Sequence, residues 1–163
     1  TYLHDPDPRC RMFAAVAVWE ATKKAELVEI FLALKDHADP EVRSTARMRL
    51  CMMSSENAKL FETVASFEED PTPGVRYHVV VAMRHFGKNG APVLQRAFGD
   101  KGVRGVCGAA VLSAGALGKD GKDLVPSLQA MQNDPDPILR SAVERALHQI
   151  DPMRFSKPAD PMK

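Results

Sequence analysis

Tyr77, His78 and His85 are the residues whose types and spacing best suit chemistry: two imidazoles seven positions apart, with a phenol beside one of them. On a helix, positions i and i+7 lie near one face, where groups titrating near neutrality could hold a ligand or exchange a proton. The plainer reading, two solvated surface histidines, is adopted here, because His4, His37 and His148 are scattered. Cys10, Cys51 and Cys107 form no CxxC or Cys/His cluster, and an odd number cannot all pair within the chain. Each falls in a helix-like stretch, where cysteine behaves as a small buried hydrophobe. Unpaired thiols favour a reducing compartment, so the expected location is the cytoplasm. Residues 118–123, GKDGKD, lack the spacing of a phosphate-binding loop and read as a turn. Paired carboxylates and a nucleophile elbow are missing, so the chain is expected to be no enzyme and to use no metal or cofactor.

Any such residues must be positioned by a fold, and composition narrows its class. With 163 residues, 45% hydrophobic and 26% charged, the chain is expected to form one soluble domain with a sizeable core. No apolar run is long enough to span a membrane, and no leader-like segment opens the sequence. The first residue is Thr1, which reads as the start of a processed or cut-out piece, so a secreted parent protein stays open. A net charge of +1 is no argument for a polyanion. Residues 1–70 hold 9 Lys and Arg against 13 Asp and Glu, and residues 71–163 hold 13 against 8, an asymmetry that a solvated surface explains.

The organising signal is an internal repeat. The segments DPRCRMFAAVAVWEA, DPEVRSTARMRLCMM, TPGVRYHVVVAMRHF, DKGVRGVCGAAVLSA and DPILRSAVERALHQI align on Arg11, Arg43, Arg76, Arg104 and Arg140, spaced 32, 33, 28 and 36 residues apart. Positions one before the arginine and three, six, seven and ten after it are mostly apolar. In the third segment they are Val75, Val79, Ala82, Met83 and Phe86; in the fifth, Leu139, Val143, Ala146, Leu147 and Ile150. That is helical spacing with one buried stripe. Asp7, Asp39, Asp100 and Asp136, with Thr72 in the matching place, are expected N-caps, and Pro8, Pro40 and Pro137 follow three of the aspartates. Second amphipathic stretches, KKAELVEIFLALKD, NAKLFETVASFEE, GAPVLQRAFG and KDLVPSLQAMQN, lie between these helices. A helix–turn–helix unit of this size cannot bury its apolar face alone, so the units are expected to stack. The expected fold is all-α: a right-handed α-α superhelix of about five helical hairpins. Residues 1–150 form the repeat domain, with repeats near 5–38, 39–69, 70–99, 100–133 and 134–150, and 151–163 a proline-interrupted tail. Gly102, Gly105, Gly108 and Gly115 crowd the fourth repeat and predict close helix packing or a bend.

The stretch GKDGKDLVPSLQAMQNDPDPILRSAVERALHQI resembles a HEAT-type repeat of the short bacterial kind also found in phycobilin lyases, and the resemblance covers roughly residues 5–150. It implies that the arginine-bearing helices line a concave face. It also implies that Asp7, Asp39, Asp100 and Asp136, with Arg11, Arg43, Arg76, Arg104 and Arg140, form a hydrogen-bonded ladder between repeats, weaker at Thr72. One enzymatic branch of the fold, deoxyhypusine hydroxylase, binds iron through His-Glu pairs, and this chain has no His-Glu dipeptide. The lyase branch brings no decisive motif. The alkyl-purine DNA glycosylases are similar solenoids with a basic concave face. Here only Arg47, Arg84 and Arg145 suggest such a surface, which is weak support for phosphate binding.

If the stripe is buried, positions one, five and eight or nine after each arginine face outward. Met12, Val16, Trp19, Met48, Met52, Tyr77, Val81 and Arg84 then make an apolar strip that turns polar at Ser141, Arg145 and His148. Such a strip suits a protein partner, for which methionine adapts and aromatic residues and arginine anchor. The alternative for Met12 and Trp19 is packing against a neighbouring repeat. The expected function is a non-catalytic scaffold that binds a peptide, helix or neighbouring domain. Alternatives are a nucleic-acid-binding solenoid or the accessory repeat region of a larger bacterial enzyme, since short HEAT arrays occur on some secreted sulfatases.

Overall fold

The computed structural model describes residues 2–100 and 104–155, with the backbone alone at Arg104. Among these the chain is helical without strands: α1 (Pro8–Thr22), α2 (Val28–Leu34), α3 (Pro40–Met53), α4 (Phe61–Ala65), α5 (Pro73–Met83), α6 (Ala91–Ala97), α7 (Arg104–Ala116), α8 (Val125–Ala130) and α9 (Pro137–Ile150). The odd-numbered helices are the arginine-bearing ones. The even-numbered ones are the shorter amphipathic stretches, each entered through a 3-10 turn.

The long helices start where they do because two successive turns halt the chain just before them. Asp7, Asp39 and Asp136 accept hydrogen bonds from the backbone N–H groups of Arg9, Glu41 and Ile138 at 2.8, 2.9 and 2.9 Å. These are the N-caps expected from the sequence. Two residues earlier, Asp5, Asp70 and Asp134 accept from the N–H of Asp7, Thr72 and Asp136 at 2.9, 2.7 and 2.9 Å, and the Nδ1 of His37 takes that place before Asp39. The two aspartates of DPDP therefore make two capping turns in tandem, and in DPTP Asp70 makes the first of them.

The signature arginines close this loop. Arg11, Arg43, Arg76 and Arg140 each donate to the carbonyl six residues back, on Asp5, His37, Asp70 and Asp134, at 2.7–2.8 Å. Each also reaches the carbonyl five back, on Pro6, Ala38, Pro71 and Pro135. Loop carbonyls lack a ladder partner, and one guanidinium nitrogen, Nη1, donates to two at once. The bonds of Arg11, Arg43 and Arg140 described here lie within a repeat, where the resemblance implied a ladder between repeats. Cross-repeat Arg–Asp contacts come instead from Arg9, which grips Asp39, and from Arg47, which reaches Asp36 and Asp70. The fourth helix start, between Asp100 and the Arg104 side chain, lies outside the described residues.

The chain divides between Val79 and Val80 into two compact units. In the first, α1 packs on α2 and α3, and α3 on α2 and α4, around Phe31, Val42, Ala46, Leu50, Val64 and Phe67. In the second, α7 packs on α6 and α9, and α9 on α8, around Leu94, Val106, Ala110, Leu128, Val143 and Leu147. Gly87 and Gly118, at φ +53° and +55°, make the left-handed turns into the second unit's two 3-10 segments, and GKDGKD, expected as a turn, lies in the second of these. The crowding expected of the fourth-repeat glycines holds for one of them. A Cβ at Gly115 would stand 2.9 Å from the Cα of Ala146, whereas one at Gly105 or Gly108 would meet nothing within 4 Å. Gly102 lies outside the described residues, as do 156–163. The described start of the tail turns back on α9, where the Nδ1 of His148 meets the carbonyl of Phe155 at 2.9 Å.

Candidate functional site

The expected outward strip survives in part. Met12 and Trp19 are core, at 0% and 8% exposure, because α1 turns its Met12–Ala15–Trp19 edge onto α2 and α3. Conversely, positions of the expected buried stripe in α1 are open: Cys10, Ala17 and Ala21 are exposed. Val16 is half-buried.

The Trp19 edge carries the charges that border the strip. The Nζ of Lys23 stands 3.8 Å from the ring centroid and the Cζ of Arg49 5.6 Å, two cation–π contacts. Glu20 pairs with both cations. Hydrogen bonds from Lys23 and then Arg49 hold its carboxyl below the usual carboxylate range. Arg49 also reaches the Sδ of Met52 at 3.8 Å. Met52 is 42% exposed and Tyr77 43% exposed. Met48, one turn before Met52, is half-buried, and its Sδ lies 3.8 Å from where a Cβ would stand on Gly74, three residues before Tyr77. The first unit thus presents thioether, phenol and aliphatic surface beside a part-neutralised guanidinium. This combination suits adaptable apolar contact more than bond-making.

The histidine pair does not act together on a helix face. α5 ends at Met83, so His85 falls in the following turn. The Nδ1–H of His78 is spent on the carbonyl of Gly74 at 2.7 Å, and its ring meets Tyr77 edge-on at 5.6 Å. Arg84, exposed, donates from Nε to the Nε2 of His85 at 3.2 Å. Burial, then the neighbouring Arg84 charge, lowers the His85 pKa, which keeps the imidazole a neutral acceptor. Val81 is half-buried. Cys51 and Cys107 are buried and Cys10 is exposed; burial pushes the Cys51 thiol up to about 12, beyond useful nucleophilicity. Among the described residues no group of three or more His, Cys, Asp or Glu could hold a metal ion.

The residue that sequence reasoning misplaced most is Arg47. It is no free cation for phosphate: it donates to the carbonyl of Lys35 at 2.7 Å, to Asp70 at 2.6 Å and to Asp36 at 3.0 Å, and it stacks on Phe67 at 4.8 Å. The Asp70 side chain is 2% exposed. One guanidinium therefore ties α3 to the segments after α2 and α4. The available signal was Asp70 itself, six residues before Arg76 as Asp5 and Asp134 stand before Arg11 and Arg140.

No family model and no curated protein matches the sequence. Among solved structures, the chain is similar to one from the complex of CpcE and CpcF of phycocyanin lyase from Nostoc sp. PCC7120. The TM-score is 0.72 at 22% identity, over 94% of this chain and 64% of that one. An engineered protein is similar at a TM-score of 0.69 and 16% identity, over 91% of this chain and 76% of that one. The fold is accordingly a HEAT-repeat-type helical solenoid, as the repeat signature implied. This chain spans 64% of the length of the lyase chain it matches. One expectation is corrected: the same fold serves in a lyase, so a solenoid without a familiar catalytic motif is no ground for calling the chain a non-enzyme.

Proposed function

We propose that the chain is a protein-binding module, residues 1–150 acting as one interaction domain, with Met48, Met52 and Tyr77 as the contact surface for a peptide, helix or neighbouring domain. The observation that carries the reading is the exposure of Met52 and Tyr77, 42% and 43%, in a helical array that buries most of its other large apolar side chains. Val16, Val81 and Arg84 are further candidate contacts. Support comes from the similar lyase chain, which is found in a complex of two chains. The free thiols of Cys10, Cys51 and Cys107 fit a cytoplasmic setting. Affinity capture from the source lysate, with and without nuclease, tests the reading by comparing the wild type with Met52→Asp/Tyr77→Asp. A protein captured only by the wild type supports it. Nuclease-sensitive material captured by both replaces it with nucleic-acid binding.

A second reading, favoured by the same similarity, is that the chain works as one subunit of a two-chain enzyme. It predicts binding to phycocyanin in isothermal titration; a flat titration removes it.

A further inference from the structure

The guanidinium of Arg49, on α3, ends on three groups. It pairs with Glu20 and stands 5.6 Å from the ring of Trp19, both on α1, and its Nη1 donates to the Sδ of Met52 at 3.8 Å. The sulfur it touches is open to water. Met12, Met53 and Met83 are buried and Met48 and Met131 half-buried, whereas Met52 is exposed, as is Met153. Oxidation of a methionine follows access to its sulfur, so Met52 and Met153 are where a peroxide reacts first. The surroundings of the product then differ. A thioether is a weak acceptor, and a sulfoxide is polar and accepts through its oxygen. At 3.8 Å the gap between Nη1 and Sδ admits one oxygen on the sulfur, within hydrogen-bond reach of the guanidinium. Among the described residues no cation is seated on the sulfur of Met153 in this way; Arg154 beside it lies over the ring of Phe155.

We propose that Met52 is a redox modification site whose sulfoxide is held by Arg49, in place of the contacts that Arg49 makes to Glu20 and Trp19. The co-reactant is hydrogen peroxide. A sulfur lone pair attacks one peroxide oxygen, the O–O bond breaks, and the proton of the transferred oxygen passes to the departing one. Two electrons leave sulfur, and the products are the sulfoxide and water. Methionine sulfoxide reductase with a dithiol reverses the step, returning the thioether, a disulfide and water. Moving Arg49 strands no charge, because Glu20 keeps Lys23. A change made on α3 is therefore felt on α1, through the one side chain that joins Met52 to Trp19.

Trp19 is the only tryptophan, so its emission reports where Arg49 stands. The test is peroxide treatment of the full chain in a Cys10→Ser background, which removes the one exposed thiol. Peptide mass spectrometry follows the gain of oxygen at each methionine while the emission is read in parallel. Met52 is expected to be converted alongside Met153 and at least about tenfold faster than half-buried Met48. The emission should shift in step with Met52 and return with the reductase. Met52→Leu and Arg49→Leu should each leave the emission unmoved by peroxide. Met52→Gln, whose amide oxygen stands in for that of the sulfoxide, should carry the shifted emission without peroxide. Because the readout is Arg49 and Trp19, the result is independent of whether Met52 meets a partner. A Met52 unmodified when Met153 is fully converted, an emission indifferent to Met52 conversion, or an equal shift in Met52→Leu overturns the proposal.

Discussion

Asp70 and Arg47 form the contact on which the first unit leans most at the scale of single residues. Their ion pair, 2.6 Å long, is shut from water on the Asp70 side, at 2% exposure. Removing Asp70 takes away the buried half of the pair and the cap on Thr72 while Arg47 keeps Asp36, so Asp70→Ala is expected to cost about 1–3 kcal/mol in urea unfolding. A loss below about 1 kcal/mol, the usual worth of an exposed pair, would contradict the role assigned here. The sequence showed Arg47 only as one of three arginines, with Arg84 and Arg145, that suggested a surface for phosphate. Its partners come from segments 12 and 23 residues away, and no helical periodicity encodes such a convergence. Met12 and Trp19 misled for a related reason. The stripe rule takes the buried face from spacing to the arginine alone, whereas α1 turns its Met12–Ala15–Trp19 edge onto α2 and α3.

At the scale of elements, the helices were the most legible feature because capping aspartate, proline and arginine recur in register, and each has a local mechanism that acts before any packing. What stayed hidden was which glycines are crowded, since that depends on how closely α7 and α9 approach. The structure separates two of them. Gly108 has open space where a Cβ would go, and Gly115 has Ala146 at 2.9 Å. Gly108→Ala should therefore stabilise the protein by about 0.5–1 kcal/mol through helix propensity. Gly115→Ala should destabilise it by about 1–3 kcal/mol through overpacking. Thermal melts of the two variants check the signs, and equal shifts would mean that the α7–α9 approach is looser than described.

For the molecule as a whole, surface electrostatics gives a pH dependence with a definite sign. Asp39 is held below the usual carboxylate range first by its hydrogen bond from Arg9, Asp36 first by Lys35, and Glu20 first by Lys23. A carboxylate whose folded pKa is depressed contributes stability above its unfolded value, about 4, and loses it as pH falls through the folded value. The urea midpoint is thus expected to hold near neutrality and to drop below about pH 4, less steeply in high salt because these pairs are exposed. A midpoint unchanged down to about pH 3 would contradict the sign. Fold class was legible at this scale because a repeat multiplies a weak local signal. The contact surface was less so, since outward-facing positions depend on which neighbours each helix finds. Photo-crosslinking in source cells tests the interaction surface most directly, with a benzophenone amino acid placed singly at Met52, Tyr77 or the polar position Ser141. The account predicts one common protein adduct from positions 52 and 77 and none from 141; no adduct from 52 and 77, or equal labelling from all three, would contradict it.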